Sequence, residues 1–110
     1  MKTLKFESHL AGMILRGEKT STWRLFDDKD LQIGDEITCI NKKTGKTFGT
    51  AKITSAYEKT FKTLTKEDIK GHEGFASKKE MYETYRSYYP DKKVGPETEL
   101  KVLHFDFRAE

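Results

Sequence analysis

The order of the predicted elements indicates an α+β domain built around a small, strongly bent sheet or barrel. Three observations lead to this fold class. Short helical segments separate the strand-like segments, a long hairpin occupies the middle of the chain, and an alternating segment closes it. The 110 residues have the length of one domain, so we expect a single domain over residues 1–110.

The first quarter of the chain predicts a helix followed by a strand. The helix begins after residues 4–6, with Ser8 as a plausible N-cap and Gly17 as a good stop. Apolar residues between these two positions recur at helical spacing. Residues 20–25 are rich in β-branched and aromatic side chains and alternate in polarity, which predicts a strand.

The middle of the chain and its last segment predict further strands. The run from Glu36 to Asn41 leads through a turn at residues 43–45 into a second run from Thr47 to Tyr57, which is typical of a hairpin. The segment from Glu99 to Arg108 alternates in polarity, so we expect a terminal strand.

The third quarter predicts two short helices. Thr65 and Asp68 have the spacing of a capping box, in which each side chain bonds the backbone N–H of the other residue. Ser77 and Glu80 repeat this spacing, and Pro90 ends the second helix because proline cannot continue one.

The composition excludes several classes of protein. Cys39 is the one cysteine, so an intrachain disulfide is impossible and a cysteine-based metal site is not expected. The three histidines are scattered along the chain, and we predict no metal site and no cofactor. Apolar runs of only a few residues are too short to span a membrane. The N-terminal segment has no hydrophobic signal core, so we expect a cytoplasmic protein. We also expect a monomer.

The charge distribution suggests one possible contact surface for nucleic acid. The net charge of +3 is too small to establish a polyanionic partner by itself. Residues 37–57 contain four lysines and no carboxylate, however. These possible RNA contacts are Lys42, Lys43, Lys46 and Lys52. They fit either a solvated hairpin whose lysines prevent aggregation at its edge or a local patch that faces phosphates.

The segment from Gly17 to Arg24 carries the most chemical information. Thr20, Thr22 and Arg24 share one face of the predicted strand, because side chains alternate along a strand. Lys19 lies at the junction, where its ammonium group can reach that face. A lysine, hydroxyl groups and an arginine in one patch would suit an anion, a phosphate or a developing oxyanion. The same residues also fit an ordinary solvated strand.

These residues form the pattern Gly-x-Lys-x-x-Thr-x-Arg, which resembles the signature of the ASCH domain family. The pattern is carried by Gly17, Lys19, Thr22 and Arg24. The resemblance extends along nearly the whole chain, with residues 33–35 leading into the hairpin and residues 72–75 inside a helical insertion. ASCH domains belong to the PUA-like superfamily of small β-barrels. The resemblance therefore implies a barrel of about five or six strands with short flanking helices.

The resemblance also implies a function connected with RNA. PUA-like barrels commonly bind RNA or modified nucleotides, and one small bacterial branch of ASCH proteins hydrolyses the acyl amide of N4-acetylcytidine to cytidine and acetate. Carried over by motif, its catalytic residues are Lys19, Thr22 and Glu73, with Gly17 and Arg24 binding the substrate. The partner would be a nucleoside or RNA. The alternatives are a non-catalytic module that binds RNA or a modified nucleotide, and single-strand RNA cleavage, which is linked to another family member.

Each of these residues has a chemical role that amide hydrolysis requires. Thr22 could attack the acyl carbon or position a water molecule, and Lys19 could act as its base if burial or Arg24 lowers its pKa. Glu73 could transfer a proton or hold the exocyclic nitrogen of the base, or it could be a solvated carboxylate at a helix end. Arg24 could bind a phosphate or pair with an acid. We expect these four side chains to converge in a cleft between the second strand and the helical insertion.

The remaining candidate residues are expected to have structural roles. We expect Trp23 to be a core anchor, because it points away from Thr22 on the strand. His72 is expected to be a loop histidine in solvent. Four tyrosines in the third quarter are expected to be core residues or half-buried cover rather than stacking platforms. They are Tyr82, Tyr85, Tyr88 and Tyr89.

Overall fold

The computed structural model describes residues 2–27 and 29–110, which form one five-stranded sheet with short helices beside it. The elements are β1 (Lys2–Phe6), α1 (Ser8–Leu15), β2 (Ser21–Arg24), β3 (Glu36–Asn41), β4 (Thr47–Thr60), α2 (Lys66–Ile69), α3 (Lys78–Tyr88) and β5 (Glu99–Ala109). The predicted α+β class and the predicted hairpin are confirmed. The sequence analysis had not identified β1 as a strand.

The sheet curls into a half-barrel in the strand order β1-β3-β4-β5-β2. β1 lies parallel to β3, and every other neighbouring pair is antiparallel. Register shifts interrupt the β3–β4 and β4–β5 ladders. Such irregularities bend a strand and increase its twist, which helps a sheet of this size to curl. The short strand β2, which carries Thr22 and Arg24 of the predicted motif, forms one edge beside β5.

Two hydrophobic clusters stabilise the two faces of this sheet. Leu103 and Phe105 of β5 pack in the cluster that contains α1, whereas Leu100 and Val102 pack in the cluster that contains α3. The period-two alternation of strand side chains separates these pairs. Trp23 of β2 is buried in the α3 cluster, as the sequence analysis expected. Because both faces are covered, β2 can hold Trp23 in a core while its other side chains line a cleft.

The helix ends agree with the sequence analysis in part. The capping box between Thr65 and Asp68 is present, and the Ser77 hydroxyl accepts a hydrogen bond from the N–H of Glu80. The Glu80 carboxylate accepts from the N–H of Ala76 rather than that of Ser77. The prediction of Ser8 as an N-cap was wrong, because Ser8 is already helical.

Gly71 connects the helical insertion to the start of β2. Its carbonyl accepts hydrogen bonds from the N–H groups of Thr20, at 2.8 Å, and of Ser21, at 3.0 Å. Gly71 has a φ of +80°, and a Cβ atom at this position would collide with the side chain of Thr20. Glycine is therefore required here, both for the backbone conformation and for the close approach. This contact places Glu73, two residues later, beside the beginning of β2.

We predict that Gly71→Ala lowers the free energy of unfolding by about 1–3 kcal/mol, because alanine is strained at this φ and its methyl group displaces Thr20. Chemical denaturation monitored by circular dichroism measures this change. Gly74→Ala is the matched control, since its Cβ would meet nothing within 4 Å. We expect the control to change stability by no more than about 0.5 kcal/mol. Equal effects of the two substitutions would contradict the proposed role of Gly71.

Candidate active site

A buried lysine lies at the centre of the predicted motif. Lys19 Nζ donates a hydrogen bond to the carbonyl of Ser21 at 2.7 Å and forms an ion pair with the carboxylate of Glu73. Burial lowers the pKa of Lys19 to about 8, although the attraction of Glu73 opposes this shift. The repulsion of Arg24 contributes to the lowering. An amine with such a pKa can gain and lose a proton near neutral pH.

Glu73 connects this lysine to the surface of the protein. Its side chain is 12% exposed and lines a cleft beside β2. Burial alone would raise the pKa of Glu73, but the charge of Lys19 and the contacts with Lys19 and His72 hold it below its ordinary value. Glu73 is therefore a carboxylate at neutral pH. The structure brings Lys19 and Glu73 together, as the sequence analysis expected.

His72 is buried behind Glu73, so the expectation of a solvent-exposed histidine was wrong. Its ring stacks on Trp23 with 3.9 Å between ring centroids and 17° between ring planes. Its Nδ1 lies 2.9 Å from the carbonyl oxygen of Glu73 and 3.2 Å from the Glu73 carboxylate. The apolar stack excludes water from the ring, which explains why this loop residue is buried.

The hydrogen bonds of His72 determine which of its nitrogens carries the proton. Both partners of Nδ1 are acceptors, so Nδ1 carries the hydrogen in the neutral ring. Nε2, 3.2 Å from the Tyr85 hydroxyl, then accepts a hydrogen bond from it. Burial and the nearby charge of Lys19 lower the pKa of His72 to about 4, while burial raises the pKa of Tyr85 well above its ordinary value. Both side chains are uncharged at neutral pH, and Tyr85 orients the His72 ring while His72 holds Glu73 in place.

The cleft in front of Glu73 has a volume of about 250 Å³. Thr22 and Arg24 line it from β2, so three of the four residues expected to converge there line its wall. Five of the other lining residues are aromatic, and the ion pair of Lys42 with Glu7 also borders the cleft. The aromatic residues are Phe6, Trp23, Tyr85, Tyr88 and Tyr89. Such a volume lies near the lower limit of small-molecule pockets, which is roughly 300 Å³.

Arg24 is held in the cleft without an acidic partner in the described part of the chain. Its Nη2 donates to the carbonyl of Lys5 at 3.1 Å, and its Cζ lies 4.8 Å from the ring centroid of Phe6. Its Nε is buried and has no hydrogen-bond partner among the described residues. Burial lowers the pKa of Arg24, but an arginine remains charged. Of the two alternatives for Arg24, pairing with an acid is therefore not found among the described residues, and its cation can receive an anionic group.

Gly17 and the four predicted RNA-contact lysines lie at different distances from this cleft. Gly17 is exposed in the turn after α1, with a φ of +77°, and does not line the cleft. Lys42 lines the cleft and pairs with Glu7 at 3.3 Å, while Lys43 and Lys46 are exposed at the hairpin turn. Lys52 lies further along β4, opposite carboxylate residues of both neighbouring strands. Only the three lysines near the turn can therefore form one basic surface.

Tyr85 is buried and Tyr82, Tyr88 and Tyr89 are half-buried, which agrees with the expectation of core and cover residues.

Within residues 2–27 and 29–110, no group of three or more His, Cys, Asp or Glu residues could hold a metal ion. No helix in these ranges is long and apolar enough to cross a membrane.

We predict that His72 makes stability fall at mildly acidic pH. Its pKa is about 4 in the folded protein and 6.5 ordinarily, so the unfolded chain binds more protons between these values. The free energy of unfolding should therefore decrease by roughly 3 kcal/mol as the pH falls from about 6.5 to 4. Denaturation of wild type and His72→Gln at several pH values tests this. We expect a clearly shallower decline in His72→Gln.

The matched control for this experiment is His9→Gln, because His9 is exposed on α1. We expect this variant to retain the full decline in stability. The result that would contradict the buried neutral role of His72 is a parallel decline in wild type and His72→Gln.

Comparisons with known proteins agree with this fold. The sequence matches the family described as ASCH domain over residues 2–108. No curated protein sequence matches the chain significantly. Among solved structures, the chain is similar to an ASCH domain from Lactobacillus crispatus JV V101, with a TM-score of 0.70 and 19% identity. That alignment covers 99% of this chain and 81% of the other.

Two further structures are similar along almost the whole chain. ASCH from Zymomonas mobilis has a TM-score of 0.68 and 14% identity, with 97% of this chain and 68% of that chain aligned. The hypothetical protein PH0355 has a TM-score of 0.73 and 24% identity, with 98% of this chain and 100% of that chain aligned. At these identities the similarity shows a shared fold, which agrees with the expected α+β domain built on a strongly bent sheet. Because the family match covers nearly every residue, the chain belongs to the ASCH domain family.

Proposed function

We propose that the protein hydrolyses the acyl amide of N4-acetylcytidine-type nucleosides to cytidine and acetate. The observation that carries this proposal is the ion pair between buried Lys19 and Glu73, which lies at the wall of a cleft that also contains Thr22. Amide hydrolysis needs a nucleophile, a base for its proton and an acid for the leaving nitrogen. These three residues can supply all three groups.

The reaction begins with the Thr22 hydroxyl as the nucleophile. Its oxygen attacks the acyl carbon, and its proton passes to the neutral amine of Lys19, whose pKa of about 8 leaves part of the population deprotonated at neutral pH. The acyl oxygen becomes an oxyanion in this step. Arg24 lies two residues further along the same face of β2, so its cation can stabilise that charge.

The second half of the reaction releases cytidine and regenerates the enzyme. The bond between the acyl carbon and N4 breaks, and the protonated Lys19 returns the proton to the departing nitrogen. A water molecule then attacks the acyl-threonine ester and gives one proton to Glu73, which passes it to the departing Thr22 oxygen. Acetic acid leaves and releases its remaining proton to the solvent to become acetate. Every proton taken up is returned. His72 acts as a positioning residue here, because it holds Glu73 through two acceptor atoms.

The walls of the cleft suit the nucleoside part of this substrate. A pyrimidine base presents a flat π-face, and aromatic side chains stack on such faces without requiring a particular sequence. Tyr88 and Tyr89 are half-buried at the cleft, so each can present ring surface to a ligand. The Glu73 carboxylate can accept a hydrogen bond from the exocyclic N4–H of the base. A small cleft of this kind favours a nucleoside-sized ligand.

We predict that the purified protein converts N4-acetylcytidine to cytidine, measured by chromatography. Lys19→Ala and Glu73→Gln should each lower turnover by about 10²-fold or more, because each removes a group that transfers a proton. Thr22→Val keeps the shape of the side chain but removes the nucleophile, whereas Thr22→Ser retains a hydroxyl and should retain activity. Wild-type kcat/KM should rise with pH to a plateau above about 8, as Lys19 loses its proton.

Circular dichroism of every variant separates loss of catalysis from loss of the fold. The proposal is wrong if wild-type protein produces no cytidine, or if Lys19→Ala remains fully active. A turnover that is equally low in Thr22→Ser and Thr22→Val would argue against a nucleophilic hydroxyl.

The basic end of the hairpin favours a second candidate, a non-catalytic RNA-binding module. Lys43 and Lys46 are exposed at the turn, Lys42 lines the cleft, and residues 37–57 contain no carboxylate. Phosphates of a single strand lying across the turn would contact this surface. Such binding depends on salt, because each neutralised phosphate releases a bound counterion.

We predict for this candidate that single-stranded RNA binds at low salt and that the double variant Lys43→Gln/Lys46→Gln weakens binding. The slope of log affinity against log salt should fall by about 1.4, since each of the two lost contacts removes roughly 0.7. Fluorescence anisotropy of labelled RNA measures both quantities. The control is Lys70→Gln/Lys78→Gln, which removes the same charge from exposed positions elsewhere. Absence of binding at low salt, or equal weakening by both double variants, would exclude this candidate.

A further inference from the structure

A second groove continues from the cleft along the other side of Arg24. It has a volume of about 440 Å³ and shares Lys5, Arg24 and Tyr89 with the cleft. Its other lining residues include Phe26, Lys29 and Lys92. We call these six residues the outer groove. The mechanism proposed above uses only the cleft, so the outer groove has no assigned role.

The outer groove is positively charged. Four of its six residues are cations, while Asp27, which also lines this cavity, is already paired with Lys101 at 2.8 Å. The buried Nε of Arg24 has no hydrogen-bond partner in the described ranges. A group that brings negative charge and hydrogen-bond acceptors would therefore find cations that form no ion pair with an acid among residues 2–27 and 29–110. A phosphate has both properties.

The outer groove also presents an aromatic ring in an unusual backbone conformation. Phe26 has a φ of +53° and remains 47% exposed. A bulky side chain rarely adopts this conformation, and here an apolar ring is directed at least partly towards solvent instead of being buried. Its ring packs edge-on with Tyr89 at 5.6 Å between centroids, and Lys92 Nζ lies 5.4 Å from its centroid.

The aromatic pair is fixed by a backbone contact. The N–H of Leu25 donates a hydrogen bond to the Tyr89 hydroxyl at 3.2 Å, which joins α3's C-terminal end to the segment that follows β2. Tyr89 also lines the cleft, so one side chain borders both cavities. A ligand that fills the cleft and extends beyond Tyr89 would therefore contact this aromatic and cationic surface.

We propose that the outer groove binds a phosphate and the adjoining base of a nucleotide chain whose modified base occupies the cleft. Arg24, Lys5 and Lys92 would contact the phosphate, and the neighbouring base would stack on Phe26. The substrate would then be an oligonucleotide rather than a free nucleoside. This inference rests on the proposed nucleoside specificity of the cleft. An acidic peptide could satisfy the charges, but it offers no flat π-system for Phe26.

The first test measures binding without catalysis. Wild-type protein is titrated with the ribotrinucleotide A-C-A and with cytidine, and binding is followed by backbone amide NMR. We expect the trinucleotide to bind at least about 10-fold more tightly, because stacking and phosphate contacts add to those of the nucleoside. A glutamate-rich peptide of higher charge serves as a competitor and should bind more weakly than A-C-A.

Variants that touch only the outer groove localise this effect. Phe26→Asn removes the ring, and asparagine tolerates a positive φ, so the fold should be preserved. Lys92→Gln removes one cation, and Lys93→Gln is its matched control, because Lys93 is an exposed neighbour that does not line the groove. We expect Phe26→Asn and Lys92→Gln each to weaken trinucleotide binding by about 5-fold or more while cytidine binding stays unchanged. Lys92→Gln should also lower the salt slope by roughly 0.7.

The second test compares hydrolysis of N4-acetylcytidine with that of a trinucleotide containing it. A higher kcat/KM for the trinucleotide that is lost in Lys92→Gln supports the outer groove. Groove-dependent binding with no hydrolysis of either compound supports the groove and rejects the proposed hydrolase. The proposed role of the outer groove is wrong if wild-type protein binds A-C-A and cytidine equally well. It is also wrong if Lys92→Gln and Lys93→Gln have equal effects, or if the acidic peptide binds more tightly than A-C-A.

Discussion

A lysine ammonium that leaves water loses its hydration, and only close opposite charge and hydrogen bonds can compensate that loss. Lys19 is buried at the start of β2, and the compensation comes from Glu73 and the carbonyl of Ser21. Glu73 reaches this position because Gly71 bonds the helical insertion to the backbone of residues 20 and 21. The burial of one ammonium group therefore links the insertion to the sheet, and it places Glu73 at the wall of the cleft with Lys19 buried behind it.

The support behind this ion pair is aromatic. His72 stacks on Trp23, and its two ring nitrogens bond Glu73 and Tyr85. Because the ring is neutral, it can occupy an apolar cluster without a cost in charge burial, yet it still directs a hydrogen-bond donor at Glu73. Trp23 thus has two roles, since it fills the core beneath α3 and provides the surface that orders His72. The same core that stabilises the sheet also orients the proposed catalytic carboxylate.

The strand β2 contributes residues both to the hydrophobic core and to the proposed active site. Its side chains alternate between two faces, so Trp23 packs in the α3 cluster and borders the cleft from that side, while Thr22 and Arg24 line the cleft from the other face. Arg24 also lines the outer groove, and its Nε lacks a partner in the described part of the chain. A cation shared by two adjoining cavities is suited to a ligand that extends from one to the other. The proposed nucleoside site and the proposed phosphate site thus depend on the same side chain.

Local patterns in the sequence were enough to predict several secondary-structure elements and the family of this protein. Alternating polarity predicted β2 and β5, capping residues predicted α2 and α3, and the motif from Gly17 to Arg24 identified the family that the comparisons confirmed. These features depend on neighbours along the chain, which is why they can be read from it. The family resemblance also led to the expectation that Lys19 and Glu73 meet, but only the tertiary structure decided the partners of His72 and Arg24. Neither the burial of His72 nor the lowered pKa of Lys19 follows from residues adjacent in the sequence. Both result from the exclusion of water where the helical insertion packs on the start of β2, and Lys19 and Glu73 are 54 residues apart in the chain.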